Sequence, residues 1–142
     1  DEGGFTADLK PYTVESKENW FLSLKKRNDI FIISNNDLVT GYFYFSPWRD
    51  GRDALKSTAE ISFYIDGLYR GKGLGYMALS EAIQIANKKG LKYLLAILLD
   101  INKASIGLLK KFGFKIVGHL PGIAKLKKGS CGQYLMLKDL SK

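Results

Sequence analysis

Arg70, Gly71, Lys72, Gly73 and Gly75 interleave cations with glycines, immediately after an alternating apolar run through Ile61, Phe63 and Ile65. Glycine lets successive backbone N–H groups converge on one point. A helix starting directly behind the turn adds unpaired N–H groups and a partial positive charge. That combination is an anion cradle, most often for phosphate. Counting excludes two familiar phosphate turns. The dinucleotide fingerprint G-x-G-x-x-G, begun at Gly71, meets Gly73 and then Tyr76 where its third glycine is required. A P-loop begun at Gly67 requires glycine where Lys72 stands. Arg70-x-x-Gly73-x-Gly75 remains, between a strand and a helix.

A second pattern lies downstream, Asn102-x-x-Ser105-x-x-Leu108 followed by Gly113-Phe114. With Glu60 on the strand that enters the turn, and Val117-Gly118 and Leu135-Met136 in register, the chain resembles the GNAT N-acetyltransferase superfamily. It is most similar to the phosphinothricin-acetyltransferase-like branch, over most of residues 13–140. The resemblance implies acetyl-CoA as cosubstrate and no metal. It implies that Arg70, Gly71, Lys72, Gly73, Leu74, Gly75 and Tyr76 hold the CoA pyrophosphate. The backbone of Phe63, Tyr64 and Ile65 would pair with the pantetheine arm. Asn102 and Ser105 belong to the same cofactor site, Asn102 serving as helix cap, as pantetheine contact, or as both. One N–H of the Phe63–Ile65 strand would face the thioester oxygen, where such a donor is worth roughly 3 kcal/mol.

The implied activity is transfer of the acetyl group directly to a primary amine of a small molecule, such as an amino acid analogue. An alkyl amine with a pKa of about 10 is protonated at neutral pH, so a base must take its proton. Glu60 is the candidate, because an apolar strand beside the acetyl site raises a carboxyl pKa. Its plainer role is an outward-facing strand glutamate. His119, the one histidine, follows Gly118 and lies away from the motifs in sequence. Cys131 has no partner base near it in sequence. The sequence departs from the family at two places. Leu109 occupies the position where many relatives carry a tyrosine acid, which leaves a non-catalytic CoA-binding module as an alternative. Ser130-Cys131-Gly132 replaces the Trp-x-Asp of the branch, which leaves the acceptor open, a protein N-terminus included.

The elements that must position these residues follow from periodicity. Residues 1–12 read as irregular. Thr13, or alternatively Ser16, would cap a helix running to Lys26 with Trp20, Phe21 and Leu24 on one face. Ile30–Ser34 and Leu38–Phe45 read as a hairpin about Asn35-Asn36-Asp37. The loop from Pro47 to Asp53 carries Trp48, Arg49 and Arg52, which would line a substrate mouth or merely face water. Thr58–Ile65 is a strand and Leu74–Lys89 a helix, with Leu74, Met77, Ala78, Ala82, Ile85 and Ala86 as its apolar face. Leu91–Leu99 is a strand buried on both sides. A helix capped by Asp100 or Asn102 would bury Ala104, Leu108, Leu109 and Phe112, and Gly113 would end it. Phe114–Leu120 and Gln133–Leu137 are strands, with a loop or irregular hairpin over residues 121–132 and a polar tail from Lys138. Only the Ile61–Leu99 unit demands a parallel crossover. The expected fold is an α/β (α+β) GNAT-like mixed, mostly antiparallel sheet with helices on both faces.

At 142 residues, 46% of them apolar with eight Phe and eight Tyr, the chain suits one packed domain rather than a disordered one. That domain, residues 1–142, is expected to lack the first strand of the family, since the chain begins at Asp1. There is no apolar run of about 18 residues to cross a membrane, and no secretory signal is visible. One cysteine excludes an internal disulfide, which fits a cytoplasmic setting. The net charge of +8, from 22 Lys and Arg against 14 Asp and Glu, suits a solvated surface. It also suits a polyanionic small ligand. No DNA- or RNA-binding motif accompanies it, so nucleic acid ranks last among partners. Homodimers are frequent among similar proteins, and the oligomeric state is left open, with a homodimer as one alternative.

Overall fold

The computed structural model describes residues 14–27 and 29–142. Helix α1 spans Val14–Lys26. Residues 1–12 and the Thr13 cap lie outside the described residues, and Ser16 falls inside the helix rather than ahead of it. Strands β1 (Ile30–Asn35) and β2 (Leu38–Pro47) form the expected hairpin. Asn36 and Asp37 turn it with φ of 50° and 66°, the pair of positive angles that fits strand twist. Strand β3 (Thr58–Ile65), helix α2 (Leu74–Lys88), strand β4 (Tyr93–Leu99) and helix α3 (Lys103–Lys111) follow. Strands β5 (Lys115–Leu126) and β6 (Gly129–Asp139) close the chain.

One six-stranded sheet has the order β1-β2-β3-β4-β6-β5, and only β3 and β4 run parallel. Phe43, Phe45, Ile61, Leu94, Ala96 and Met136 point to one face, where Ala78, Leu79, Ala82 and Ala86 of α2 and Ile106 and Leu109 of α3 complete the core. Tyr44 alternates with Phe43 and Phe45, so it points to the other face. There Trp20 of α1 meets it edge-on at 4.9 Å. Helices therefore cover both faces.

One open alternative is decided and two expectations change. The irregular-hairpin alternative for residues 121–132 holds, because β5 and β6 continue through that stretch to a turn at Lys127 and Lys128. Pro121, which lacks a donor, and Gly122 at φ 70° shift the ladder between Leu120 and Ala124 without ending it. The polar tail is partly strand: β6 includes Lys138 and Asp139, and the Lys138 ammonium donates to the Phe112 carbonyl at 2.6 Å. On α2, Met77 is exposed and Leu79 buried, and on α3 Ala104 is exposed and Ile106 buried. Ala78, Ala82, Ala86 and Leu109 are buried as expected, so each stripe differs from the one apolar spacing suggested only at its margin.

Candidate active site

The central feature of the sheet is a ladder that stops early. β3 and β4 pair only at Thr58–Tyr93, Ala59–Leu94 and Glu60–Leu95, although β3 runs on to Ile65 and β4 to Leu99. Beyond Glu60 the strands part, and the seam between them becomes a groove. The groups facing it follow from antiparallel geometry. Asp66 N–H donates to the Thr40 carbonyl at 2.8 Å and Trp48 N–H to the Thr58 carbonyl at 3.2 Å. These fix the even-numbered residues of β3 as the ones bonded to β2. Ile61, Phe63 and Ile65 therefore turn their backbone groups to the seam. By the same logic, Asp100 N–H on the Gly132 carbonyl and Leu140 N–H on the Lys92 carbonyl commit the even residues of β4 to β6. Ile97 then faces the seam from the other side. Tyr64 departs from the expected pantetheine trio: its backbone turns to β2, and the groups turned to the gap are those of Phe63 and the Ile65 N–H, the Ile65 carbonyl being taken by Arg70.

Two cavities lie along the seam and share Phe63, Tyr64, Asn102 and Ser105 as walls. The first, about 250 Å³, is lined also by Tyr44, Glu60, Ser62, Leu109 and Gln133. The second, about 310 Å³, runs past Ile65, Arg70, Gly71, Gly73, Gly75 and Tyr76. The groove thus joins Glu60 to the glycine turn. Lys72 and Leu74 line neither cavity. The Lys72 ammonium sits 5.5 Å from the centre of the Tyr69 ring.

The turn is built by its glycines. Gly71 and Gly73 hold φ of 77° and 80°, the left-handed region in which an L side chain is strained. Gly73 is the N-cap of α2 and offers no side chain, so the first N–H groups of the helix stay open to a ligand. Gly75 serves packing instead: a Cβ there would lie 3.1 Å from Leu108 of α3. The Arg70 guanidinium donates to the Ile65 carbonyl at 3.3 Å, tying the turn to the end of β3. An open helix terminus beside a cationic turn fits a pyrophosphate, and unpaired strand edges fit an amide-bearing arm laid between them as an added strand.

Glu60 is half-buried, and burial pushes its pKa above the ordinary carboxylate value. Among the described residues it is the one charged side chain lining the first cavity. Asn102 is buried; its side-chain oxygen accepts from Ser105 N–H at 3.2 Å and caps α3 while the residue lines both cavities. Leu109, where relatives carry tyrosine, is a buried wall of the first cavity. Cys131 is buried and lines neither cavity. His119 is not isolated: its Nε2 lies 2.9 Å from Asp100 Oδ2, and that contact is what holds the Asp100 carboxyl below its ordinary range. Sequence reasoning missed Tyr44, Ser62 and Gln133 as cavity walls. The signal for Tyr44 and Ser62 was strand alternation, which puts them on the face of Glu60.

The family model for the acetyltransferase (GNAT) family matches residues 3–114. The chain belongs to this family. It is an acetyltransferase of the branch to which the sequence motifs pointed. It is 38% identical over 122 residues to YwnH of Bacillus subtilis (strain 168), whose name gives it provisionally as a phosphinothricin acetyltransferase; the match covers 85% of this chain and 74% of that protein. It is 30% identical to an L-methionine sulfoximine/L-methionine sulfone acetyltransferase of Pseudomonas paraeruginosa, over 81% of this chain and 67% of that protein. Among solved structures, an N-acetyltransferase from Staphylococcus aureus Mu50 superimposes with a TM-score of 0.88 at 31% identity, covering 95% of this chain and 82% of that one. YncA of Salmonella typhimurium, solved with acetyl-CoA, gives 0.88 at 26% identity, covering 99% and 82%. The mixed sheet and its flanking helices are therefore the GNAT fold.

Proposed function

We propose that this acetyltransferase moves the acetyl group of acetyl-CoA directly to the primary amine of a small molecule, an amino acid analogue by analogy with the relatives named above. The observation that carries the proposal is the continuity of the groove. One end is a glycine turn suited to a pyrophosphate, the middle is a pair of unpaired strand edges, and the far end holds a half-buried carboxylate. Bound there, acetyl-CoA supplies an activated acyl carbon. The open N–H groups of Gly73 and the α2 terminus bind its phosphates, and Phe63 and Ile65 align its arm. An N–H of that strand, facing the thioester oxygen, stabilises the developing oxyanion. Glu60 takes a proton from the incoming ammonium, directly or through water, and the amine then forms its bond to the acyl carbon as the C–S bond breaks. The sulfur departs as a thiolate, tolerably without a tyrosine acid because its thiol has a pKa of about 8.5, and the proton shed by the new amide nitrogen passes to it or to water.

Because Cys131 lines neither cavity, the transfer proceeds without an acyl-enzyme. Incubation with acetyl-CoA alone leaves the protein mass unchanged; an acetylated enzyme that passes its acetyl group to added amine sinks the direct route. The Leu109 position also suits a module that binds CoA without turning it over. Thioester release in the presence of methionine sulfoximine, phosphinothricin and simple alkyl amines separates the two, since a binding module releases none. Assembly as a homodimer in the cytoplasm belongs to the same proposal and is checked by sedimentation.

A further inference from the structure

His119 and Asp100 form a built pair at the end of β4, outside both cavities. Asp100 is fastened to Gly132 of β6 twice: its N–H donates to the Gly132 carbonyl at 3.0 Å, and its Oδ1 accepts from Gly132 N–H at 3.0 Å. The other oxygen, Oδ2, meets His119 Nε2 of β5 at 2.9 Å. The His119 ring rests on Tyr134, centroids 4.7 Å apart. Gly132 makes the pair possible. A Cβ there would fall on Asp100 Oδ2 and lie 2.8 Å from His119 Nε2 and 2.9 Å from the Leu120 carbonyl.

The contact bears on the groove through a short stretch of chain. Asp100 opens the turn between β4 and α3. Asn102 N–H closes that turn on the Leu99 carbonyl at 3.0 Å, and Ile106 N–H starts the helix on the Asn102 carbonyl at 3.0 Å. Asn102 and Ser105 are the two residues of this turn and helix start that line both cavities. A carboxylate bonded on both oxygens cannot swing freely, so the turn has one position relative to β5 and β6. We propose that His119 is a positioning residue: acting through Asp100, it fixes the turn that presents Asn102 and Ser105 to the pantetheine arm, and so sets the affinity for acetyl-CoA rather than the rate of transfer. This rests on the cofactor site proposed above.

The test compares His119→Ala, His119→Gln, Asp100→Ala and the Asp100→Ala/His119→Ala double variant by calorimetric titration with acetyl-CoA and by steady-state kinetics. His119→Ala raises the Kd and KM for acetyl-CoA about fivefold to tenfold, with kcat held within about twofold and no matching loss of ligand-free melting temperature. Glutamine places an amide N–H where Nε2 stood and restores most of the affinity. In the Asp100→Ala background, removing His119 adds nothing further, because the two residues act as one unit. Unchanged affinity in His119→Ala, a fall in kcat at constant KM, or additive losses in the double variant overturns the positioning role. Failure of the unaltered protein to bind acetyl-CoA overturns the cofactor site itself, and the positioning role with it. Binding by the unaltered protein, with His119→Ala equal to it, overturns the positioning role alone.

Discussion

The sheet consists of two three-stranded antiparallel ribbons, β1-β2-β3 and β4-β6-β5, and they differ in kind. The first is aromatic: Phe31 stacks on Phe43 at 5.0 Å, and Tyr42 packs on Tyr64 at 5.2 Å. The second is aliphatic where it is buried, through Leu94, Ala96, Leu99 and Met136. Each ribbon is laddered along most of its length, with local register shifts, yet only three residue pairs join β3 to β4. The aromatic ribbon supplies Glu60 and the Phe63–Ile65 edge, and the aliphatic ribbon supplies Ile97 and the Asn102–Ser105 turn. Backbone pairing is dense inside the ribbons, one core under α2 and α3 joins them, and ligand binding falls at the place where their edges fail to meet.

That division can be broken or sharpened. The largest expected effect is inside a ribbon. Met136→Ala empties a fully buried position of β6 and should lower unfolding free energy by about 2–5 kcal/mol, read from urea denaturation. An equal loss from a seam substitution would erase the distinction. Next is Glu60→Gln, which removes the base and should lower kcat at neutral pH by roughly two orders of magnitude. The base works ionised, so the acid limb of the rate profile tracks the raised pKa of Glu60 and disappears in the variant. An unchanged profile takes Glu60 out of the role. Asn102→Ala should cost about 1 kcal/mol through the lost cap, seen in melting, together with weaker acetyl-CoA binding.

Glu60 also makes a smaller prediction of opposite sign. Its folded pKa is raised, so folding favours the protonated form. Stability from this group is present below the unfolded pKa and is lost as pH rises through the folded value. Glu60→Gln should therefore melt higher than the natural chain at neutral pH, and this gain should vanish in acid; a variant that melts lower at neutral pH contradicts the desolvated site. Least of all, Met77→Lys should shift stability by less than about 0.5 kcal/mol, because the side chain is exposed.

The glycine turn was legible in the sequence because its function is written in residue type and spacing: positive φ demands glycine. The hairpin at Asn36-Asp37 was legible for the same reason. The seam was not. It is a missing set of hydrogen bonds between strands whose residues look like any other buried β sequence, and which edge of β3 it leaves open depends on register with β2. The resemblance names Phe63, Tyr64 and Ile65 together, and only the register with β2 separates Tyr64 from the other two. The helix faces were misjudged by one residue at Met77 and Ala104, since apolar spacing shows that a stripe exists but tertiary packing sets its centre. The Asp100–His119 pair was hidden because its members lie far apart in sequence and Gly132 gives no sign of the carboxylate it accommodates.

The three-pair bridge between the ribbons has a consequence for how the protein opens. The ladders are longer within each ribbon than across the bridge, so the bridge is the weakest backbone join between two units that share one core. A ligand seated as a strand in the seam would hydrogen-bond to both units at once. Amide hydrogens along Phe63, Ile65 and Ile97 should then pass from fast to slow exchange on binding.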